Sequence, residues 1–470
     1  MIEMNRKKKV FVIGFLSMLC AGCVVGPNYK KPQLPVPPEY RGVSAEQAGK
    51  AEAASFGDQK WWDAFQDETL RDLIQTALKQ NYDVQIAATR ILQARAQLGI
   101  TRADQLPSVE GAASATNERT SQVVGRPAIE TSASRVSVSL AWELDFWGKF
   151  RRATQSARAN LLAQEWARRQ VISSLVSDVA SAYFQLRELD LELEISRQTL
   201  ASRKDSLRLT QILADGGATS MLDVRQAEQL VFTAAASIPD LERQIEQQEN
   251  FISSLLGRNP QETARGRKLV DQPHALEVPS GLPSSLLERR PDILQAEQQL
   301  VAANAQIGVA KADYFPQISL TAEGGFQSSA LTSLFTGPAG LWTLGAVAVQ
   351  PVFTGGRIRN RVKFAEARAE EAKLTYQRTV QEAFREVSDS LVGYRKSQEF
   401  RIQQEQLRHS AEEATKLSNM RYKGGATSYL EVLDSDTRYF SAQLSLAQAQ
   451  LRELQSLVQI YRSLGGGWQQ

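Results

Sequence analysis

Leu209, Gly216-Gly217-Ala218-Thr219-Ser220, Leu222, Val224, Phe232, Ser237 and Leu256-Gly257 return without a gap as Leu417, Gly424-Gly425-Ala426-Thr427-Ser428, Leu430, Val432, Phe440, Ser445 and Leu464-Gly465, 208 positions on. Upstream the offset is 209: Ala94, Gln97, Gly99, Ala103-Asp104 and Pro107 match Ala303, Gln306, Gly308, Ala312-Asp313 and Pro316. The chain therefore holds two versions of one module of roughly 200 residues. Solenoid units run about 20–50 residues, so this period describes a duplicated domain.

Working outward from the repeat, 67 residues between Gly148 and Gly216 contain neither Gly nor Pro, and the 67 between Gly356 and Gly424 contain only Gly393. At 1.5 Å per residue, each stretch makes a helix about 100 Å long, far beyond the few turns usual in a globular domain. Return helices are expected from about Ser220 to Leu256 and from Ser428 to Leu464. The last carries an apolar seam at Leu430, Leu433, Thr437, Phe440, Leu444, Ala447, Leu451, Leu454, Val458 and Tyr461. Alternating steps of three and four are a heptad pattern, which needs a coiled-coil partner. The Gly-Gly turn is short, so that partner is expected to be the helix's own hairpin mate.

Between helices the period changes to two. Val136, Val138, Leu140, Trp142, Leu144 and Phe146 alternate with Ser137, Ser139, Ala141, Glu143 and Asp145. That length and pattern suit a membrane-barrel strand, and also an ordinary half-buried hairpin. Weaker strands are expected around Val109 to Ser121, through Ile318, Leu320 and Ala322, and from Leu341 to Phe353. Four strands cannot close a barrel in lipid. Two chains would supply eight strands around a plugged interior, three chains twelve around a lumen.

The amino-terminal sequence reads Arg6-Lys7-Lys8-Lys9, an apolar run from Val10 to Cys20, then Ala21-Gly22-Cys23. This is the pattern of a cleavable leader over residues 1–22, too short to span a bilayer. Cys23 is then the sole cysteine left, as a lipidation site or as a stray terminal thiol of a secreted protein. The leader holds four basic residues and Glu3, so the processed chain is neutral and does not resemble a nucleic-acid binder. His274 and His409 stand apart from other metal ligands, and no P-loop, GxSxG, HExxH or Cys-His cluster occurs. Neither cofactor nor catalytic residue is expected. The Pro-rich start of residues 23–60 reads as an extended tether. Repeats over 61–260 and 284–465 follow, with a linker at 261–283 and a tail at 466–470.

Several motifs occur in order: Gly26-Pro27-Asn28-Tyr29 with Pro32, Trp61-Trp62 with Phe65, Ala94-Arg95-Ala96-Gln97, and Trp142-Glu143-Leu144-Asp145 with Phe146, Trp147 and Gly148. The second half adds Arg289-Arg290-Pro291-Asp292, Tyr314-Phe315-Pro316, and Gln350-Pro351-Val352-Phe353 ending in Gly355-Gly356-Arg357. With these the chain resembles the TolC-like outer-membrane efflux channels, in their lipoprotein (NodT-type) branch. The resemblance implies a mainly α fold with membrane β strands: a homotrimer whose helical barrel continues a 12-stranded β-barrel, four strands per chain. It implies a passive exit duct in the outer membrane, reaching into the periplasm, fed by an inner-membrane pump through a periplasmic adaptor. The competing reading is a periplasmic coiled-coil scaffold lipoprotein without a lumen.

The resemblance also implies roles for residues. Cys23 would carry lipid, as a retained lipobox cysteine does. Gly216, Gly217, Ala218, Gly424, Gly425 and Ala426 would form tip turns that meet the adaptor, while also serving as helix caps. Leu430, Glu431 and Asp434 would line a periplasmic gate. Glu431 also fits a capping box with Ser428, as Asp223 does with Ser220; Asp434 lies beyond that box. Leu140, Trp142 and Leu144 are expected to face lipid, with Ser139, Glu143 and Asp145 facing the lumen. Arg289-Arg290-Pro291-Asp292 reads as a helix start, with Pro291 in the first turn and Asp292 near the positive end of the dipole.

Overall fold

A computed structural model describes residues 24–38, 40–41, 55–58, 67–122, 127–272 and 283–468. The leader, Cys23, Trp61, Trp62, Phe65, His274 and much of the tether lie outside the described residues.

The duplication is visible element by element. Helices α1 (Glu68–Gln80) and α2 (Tyr82–Ala103) precede strands β1 (Ser108–Arg119) and β2 (Glu130–Glu143), then α3 (Lys149–Asp215) and α4 (Met221–Leu255). The second half runs α5 (Pro283–Arg289), α6 (Pro291–Ala312), β3 (Gln317–Ser328), β4 (Gly340–Val349), α7 (Arg357–Lys423) and α8 (Tyr429–Ser463). Helices α2 and α6 each have 22 residues, α3 and α7 each 67, α4 and α8 each 35. Elements up to β1 and β3 keep the larger offset, and those from α3 and α7 onward the smaller, so the lost residue falls between the start of each hairpin and its long helix.

One unit gathers residues 1–33, 90–165 and 295–377. Its centre is one antiparallel sheet of order β1-β2-β3-β4, with β2 and β3 joining the two halves. Because directly paired residues share a face, the register sets Val109, Leu140, Ala322 and Leu344 in one row and Gly111, Val138, Gly324 and Trp342 in the next. The opposite face carries Glu110, Ser139, Glu323 and Thr343. Strand β2 starts earlier than its alternation suggests and stops at Glu143, so Leu144, Asp145 and Phe146 are not strand residues. Likewise β4 ends at Val349, before Pro351, which has no N–H to donate.

The other unit comprises residues 34–89, 166–294 and 378–470. It contains both hairpin turns. Asn81 separates α1 from α2 by accepting from the Asp83 and Val84 amides, while its own amide group donates to the Leu255 carbonyl. Buried Asp67 accepts from the Thr69 and Leu70 amides, the Arg267 amide, the Tyr183 hydroxyl and the Gln272 side chain. Residues 261–272, read as linker, are thereby pinned. The tail is also seated: Ser173 donates to the Gly466 carbonyl at 2.6 Å, and the Arg169 guanidinium lies over the rings of both Trp166 and Trp468.

The heptad expected on α8 holds over only part of its length. Ala447, Leu451, Leu454, Val458 and Tyr461 are buried, yet Thr437 and Leu430 are exposed. Near the tip, Tyr429 and Val432 are buried instead, packed with Ala227 of α4. The seam turns because α8 there meets its hairpin mate α7 and also both helices of the other hairpin, Leu207 and Arg203 of α3 and Ala227 of α4.

Candidate functional site: the strand face and the hairpin tips

The sheet has a mainly apolar face and a mainly polar one, with Leu341, Val347 and Val349 of β4 as apolar exceptions on the polar side. Its apolar face is open, with Val138, Leu344 and Trp342 at 56%, 73% and 78% exposure, whereas Ser137 on the other face is buried. Arg135 and Glu323 form an ion pair across β2 and β3. A mainly apolar face open along β2 and β4, with an ion-paired polar face behind it, suits a barrel wall turned outward to lipid. Leu140 lies on that apolar face with Trp142, whose indole donates to the Gln105 carbonyl at 3.0 Å. Leu144 lies past the strand, although its amide still bonds the Ile318 carbonyl at 2.8 Å. Asp145 has a different task from the expected lumen residue: its carboxylate accepts the Phe150 and Arg151 amides and pairs with the Arg151 side chain, opening α3. A carboxylate at a helix start is favoured by the dipole and by unpaired amides.

Beside this junction is a seat that motif reading did not anticipate. Arg152 is buried, and its guanidinium donates to the carbonyls of Val25 and Gly26 and to the side chains of Asn28 and Gln155. Burial lowers its pKa from the ordinary arginine value. Gly26, at φ +99°, presses against Gly308, where a side chain would collide. Tyr29 donates to Glu297 and Lys31 pairs with it. Gly26-Pro27-Asn28-Tyr29 was the available signal; its buried acceptor-bound arginine is 124–127 positions away in sequence and carried none.

At the tips, the two turns are the same structure. The amides of Gly216, Gly217 and Ala218 bond the carbonyls of Ile212, Ala214 and Leu213; those of Gly424, Gly425 and Ala426 bond Met420, Tyr422 and Arg421. Gly217 and Gly425 have φ of +74° and +70°, with nothing near the position of an added Cβ. Glycine is required here by backbone conformation, and not by close packing of any described residue against it.

Only one of the two expected capping boxes forms. Ser220 and Asp223 complete theirs, but Ser428 makes no side-chain cap bond. Glu431 instead accepts from the Thr427 hydroxyl and from Arg421. Asp434 is not an isolated carboxylate: Arg438 Nε, one turn on, donates to it at 2.8 Å, and both are exposed. Leu430 is 59% exposed. Behind these residues, buried Arg203 of α3 donates to Asp436 at 2.8 Å and to the Leu230 carbonyl, with its guanidinium over Phe440. Tyr429 stacks edgewise on Tyr422 at 5.3 Å, and burial raises its phenol pKa. Leu430, Glu431 and Asp434 thus share one helix start, exposed side outward, over a tied base of Arg203, Tyr422 and Tyr429.

Among the described residues, no three His, Cys, Asp or Glu side chains group as a metal site. No described helix is long and apolar enough to cross a membrane.

The profile of the outer membrane efflux protein family matches residues 73–258 and 282–466. The probable efflux pump outer membrane protein TtgC of Pseudomonas putida is 34% identical over 465 residues, covering 98% of this chain and 96% of the relative. The cation efflux system protein CusC of Escherichia coli is 33% identical, covering 97% and 98%. The open-state MtrE channel structure from Neisseria gonorrhoeae superposes with a TM-score of 0.84 at 28% identity, over 95% of this chain and 99% of that one.

Proposed function

The chain belongs to the outer membrane efflux protein family, and from that premise we propose that three copies form the outer-membrane duct of a tripartite efflux system. It is a passive conduit of the outer membrane and not an enzyme. The observation that carries closure between copies is the sheet: one mainly apolar face, with the outer edges of β1 and β4 unpaired among the described residues of the chain. Three copies are proposed because eight strands would be plugged and twelve leave the lumen a duct needs. Open edges are not tolerated in lipid, so β4 of one copy pairs with β1 of the next until twelve strands close.

The neighbouring helices continue the duct into the periplasm. The tip turns, Gly216 to Ala218 and Gly424 to Ala426, meet the adaptor, which joins the duct to an inner-membrane pump. Open space around Gly217 and Gly425 supports this, since an incoming helix can approach their backbone closely. Leu430, Glu431 and Asp434 act as the gate, with Asp434 working as half of an ion pair with Arg438. Lipid is attached at Cys23; its neighbour Val24 lies against Gly148 at the start of α3, where strands give way to helices. Relatives named for toluene and for cations are about equally similar to this chain, so cargo choice belongs to the pump.

Recording from planar bilayers tests the duct. The purified trimer produces discrete conductance steps; a scaffold without a lumen produces none at any protein concentration.

A further inference from the structure

We infer that the β3–β4 loop, residues 329–339, is an interfacial anchor that holds Leu331 and Phe335 at the acyl–headgroup boundary of the outer leaflet. This rests on the barrel reading above, and extends it to a segment outside the strands.

The two hairpins end very differently. Beyond the row of Ala113 and Val136, the lipid-side face of β1 and β2 becomes polar: Ala115 pairs with Ser134, Asn117 with Ser132, and Arg119 with Glu130. That hairpin therefore runs on into water. Ser328 shares the row of Ser134, so the β3–β4 loop begins at the level where the first hairpin turns polar. Yet no charged residue occurs between Glu323 and Arg357. Leu331 and Phe335 are 73% and 72% exposed, while Leu334, between them in sequence, is buried.

Their direction follows from one contact. Phe335 meets Phe326 edge to face, with ring centroids 5.7 Å apart. Phe326 pairs with Val136 and Gly340, in the apolar face that carries Leu140 and Trp342. The loop thus folds over the lipid side of the wall, and its apolar surface continues the band. Several of its polar groups are satisfied within the loop itself. The amides of Ser333, Leu334, Thr336 and Ala339 bond carbonyls within the loop. Ser333 and Thr336 hydroxyls donate to Ala330 and Ser333 carbonyls, and Ser328 and Ser333 hydroxyls bond each other. Irregular backbone is excluded from the hydrocarbon centre, but one satisfied this way can rest at the boundary, where aromatic side chains collect. The loop offers no cation for anionic headgroups, so its partner is the upper acyl region.

Nitroxide labels decide this. Phe335→Cys, Leu344→Cys and Glu118→Cys are each placed in a Cys23→Ser background exported on a cleavable leader, and the assembled trimers are reconstituted in liposomes. Power saturation then compares collisions with oxygen and with an aqueous nickel chelate. The expected oxygen-to-nickel ratio at 335 is several-fold above that at 118 and below that at 344. A ratio at 335 equal to that at 118 places the loop in water and overturns the proposal. Shielding of 335 from both reagents means the loop packs against a second copy, and overturns it as well. Nickel access at 344 would sink the barrel assignment itself, an outcome separate from failure at 335 alone.

Discussion

Arg203, Ser220, Asp434 and Glu188 show how strongly a side chain's role depends on its neighbours. Asp434→Ala removes a solvent-exposed ion pair, and such pairs contribute little to stability, so trimer stability should hardly change. Single-channel recording should show a more conductive resting state if the Asp434–Arg438 pair helps hold the gate; unchanged conductance and cation preference would assign the gate elsewhere. Ser220→Ala is the control, since Ser220 caps α4 and its loss costs about 0.5–2 kcal/mol. Ser428→Ala should cost less in thermal unfolding, because its hydroxyl makes no cap bond. Glu188 is a different case. It is buried on α3 one turn from buried Glu192, to which Gln448 of α8 donates at 3.0 Å. Burial first, then the hydrogen bond and charge of Glu192, push its carboxyl far above the carboxylate range. A raised folded pKa favours the protonated fold, so stability is full below the ordinary carboxylate pKa and is lost as pH rises toward the folded value. Glu188→Gln should remove that loss. Melting curves from pH 5 to pH 9 should converge with the parent at the acid end and lie higher at the alkaline end; parallel curves would refute this.

At the scale of elements, the strand rule is a matter of parity. Leu140 and Ser139 are adjacent, and the register places them on opposite faces. A charge on the lipid face near the midplane costs roughly 2–4 kcal/mol, and little toward a polar lumen. Leu140→Arg should therefore sharply reduce heat-resistant trimer on unheated gels, whereas Ser139→Arg should assemble nearly as well as the parent. Equal tolerance of both would remove or invert the assignment. Strand boundaries were less legible than strand faces. Alternation continues through Leu144 to Phe146, but Asp145 is drawn out of the ladder by the unpaired amides opening α3. Period alone cannot register that competition.

For the whole molecule, two membrane signals are independent: the lipid attachment proposed at Cys23 and an apolar wall on the sheet. Cys23→Ser, exported on a cleavable leader, should leave trimers in the outer-membrane fraction, because twelve strands hold far more apolar surface than an acyl anchor supplies. Recovery of that variant wholly in the periplasm would show that the strands do not insert without lipid. The Arg152 seat bears on the same question, since it fixes the arm that follows Cys23 onto α3.

By itself the sequence determined the duplication, the two 67-residue helices, the Gly-Gly turns and the alternating strand. These are local properties: period, propensity and the need for glycine at positive φ are written in adjacent residues. Only the tertiary structure decided which residues meet from afar. It put Arg152 under the arm, tied Arg203 to Asp436, and moved the α8 seam to Tyr429 and Val432 near the tip. It also brought Phe335 back onto Phe326. Such pairings depend on how helices cross and how strands register, and a heptad or a hairpin pattern is compatible with several partners until packing selects one.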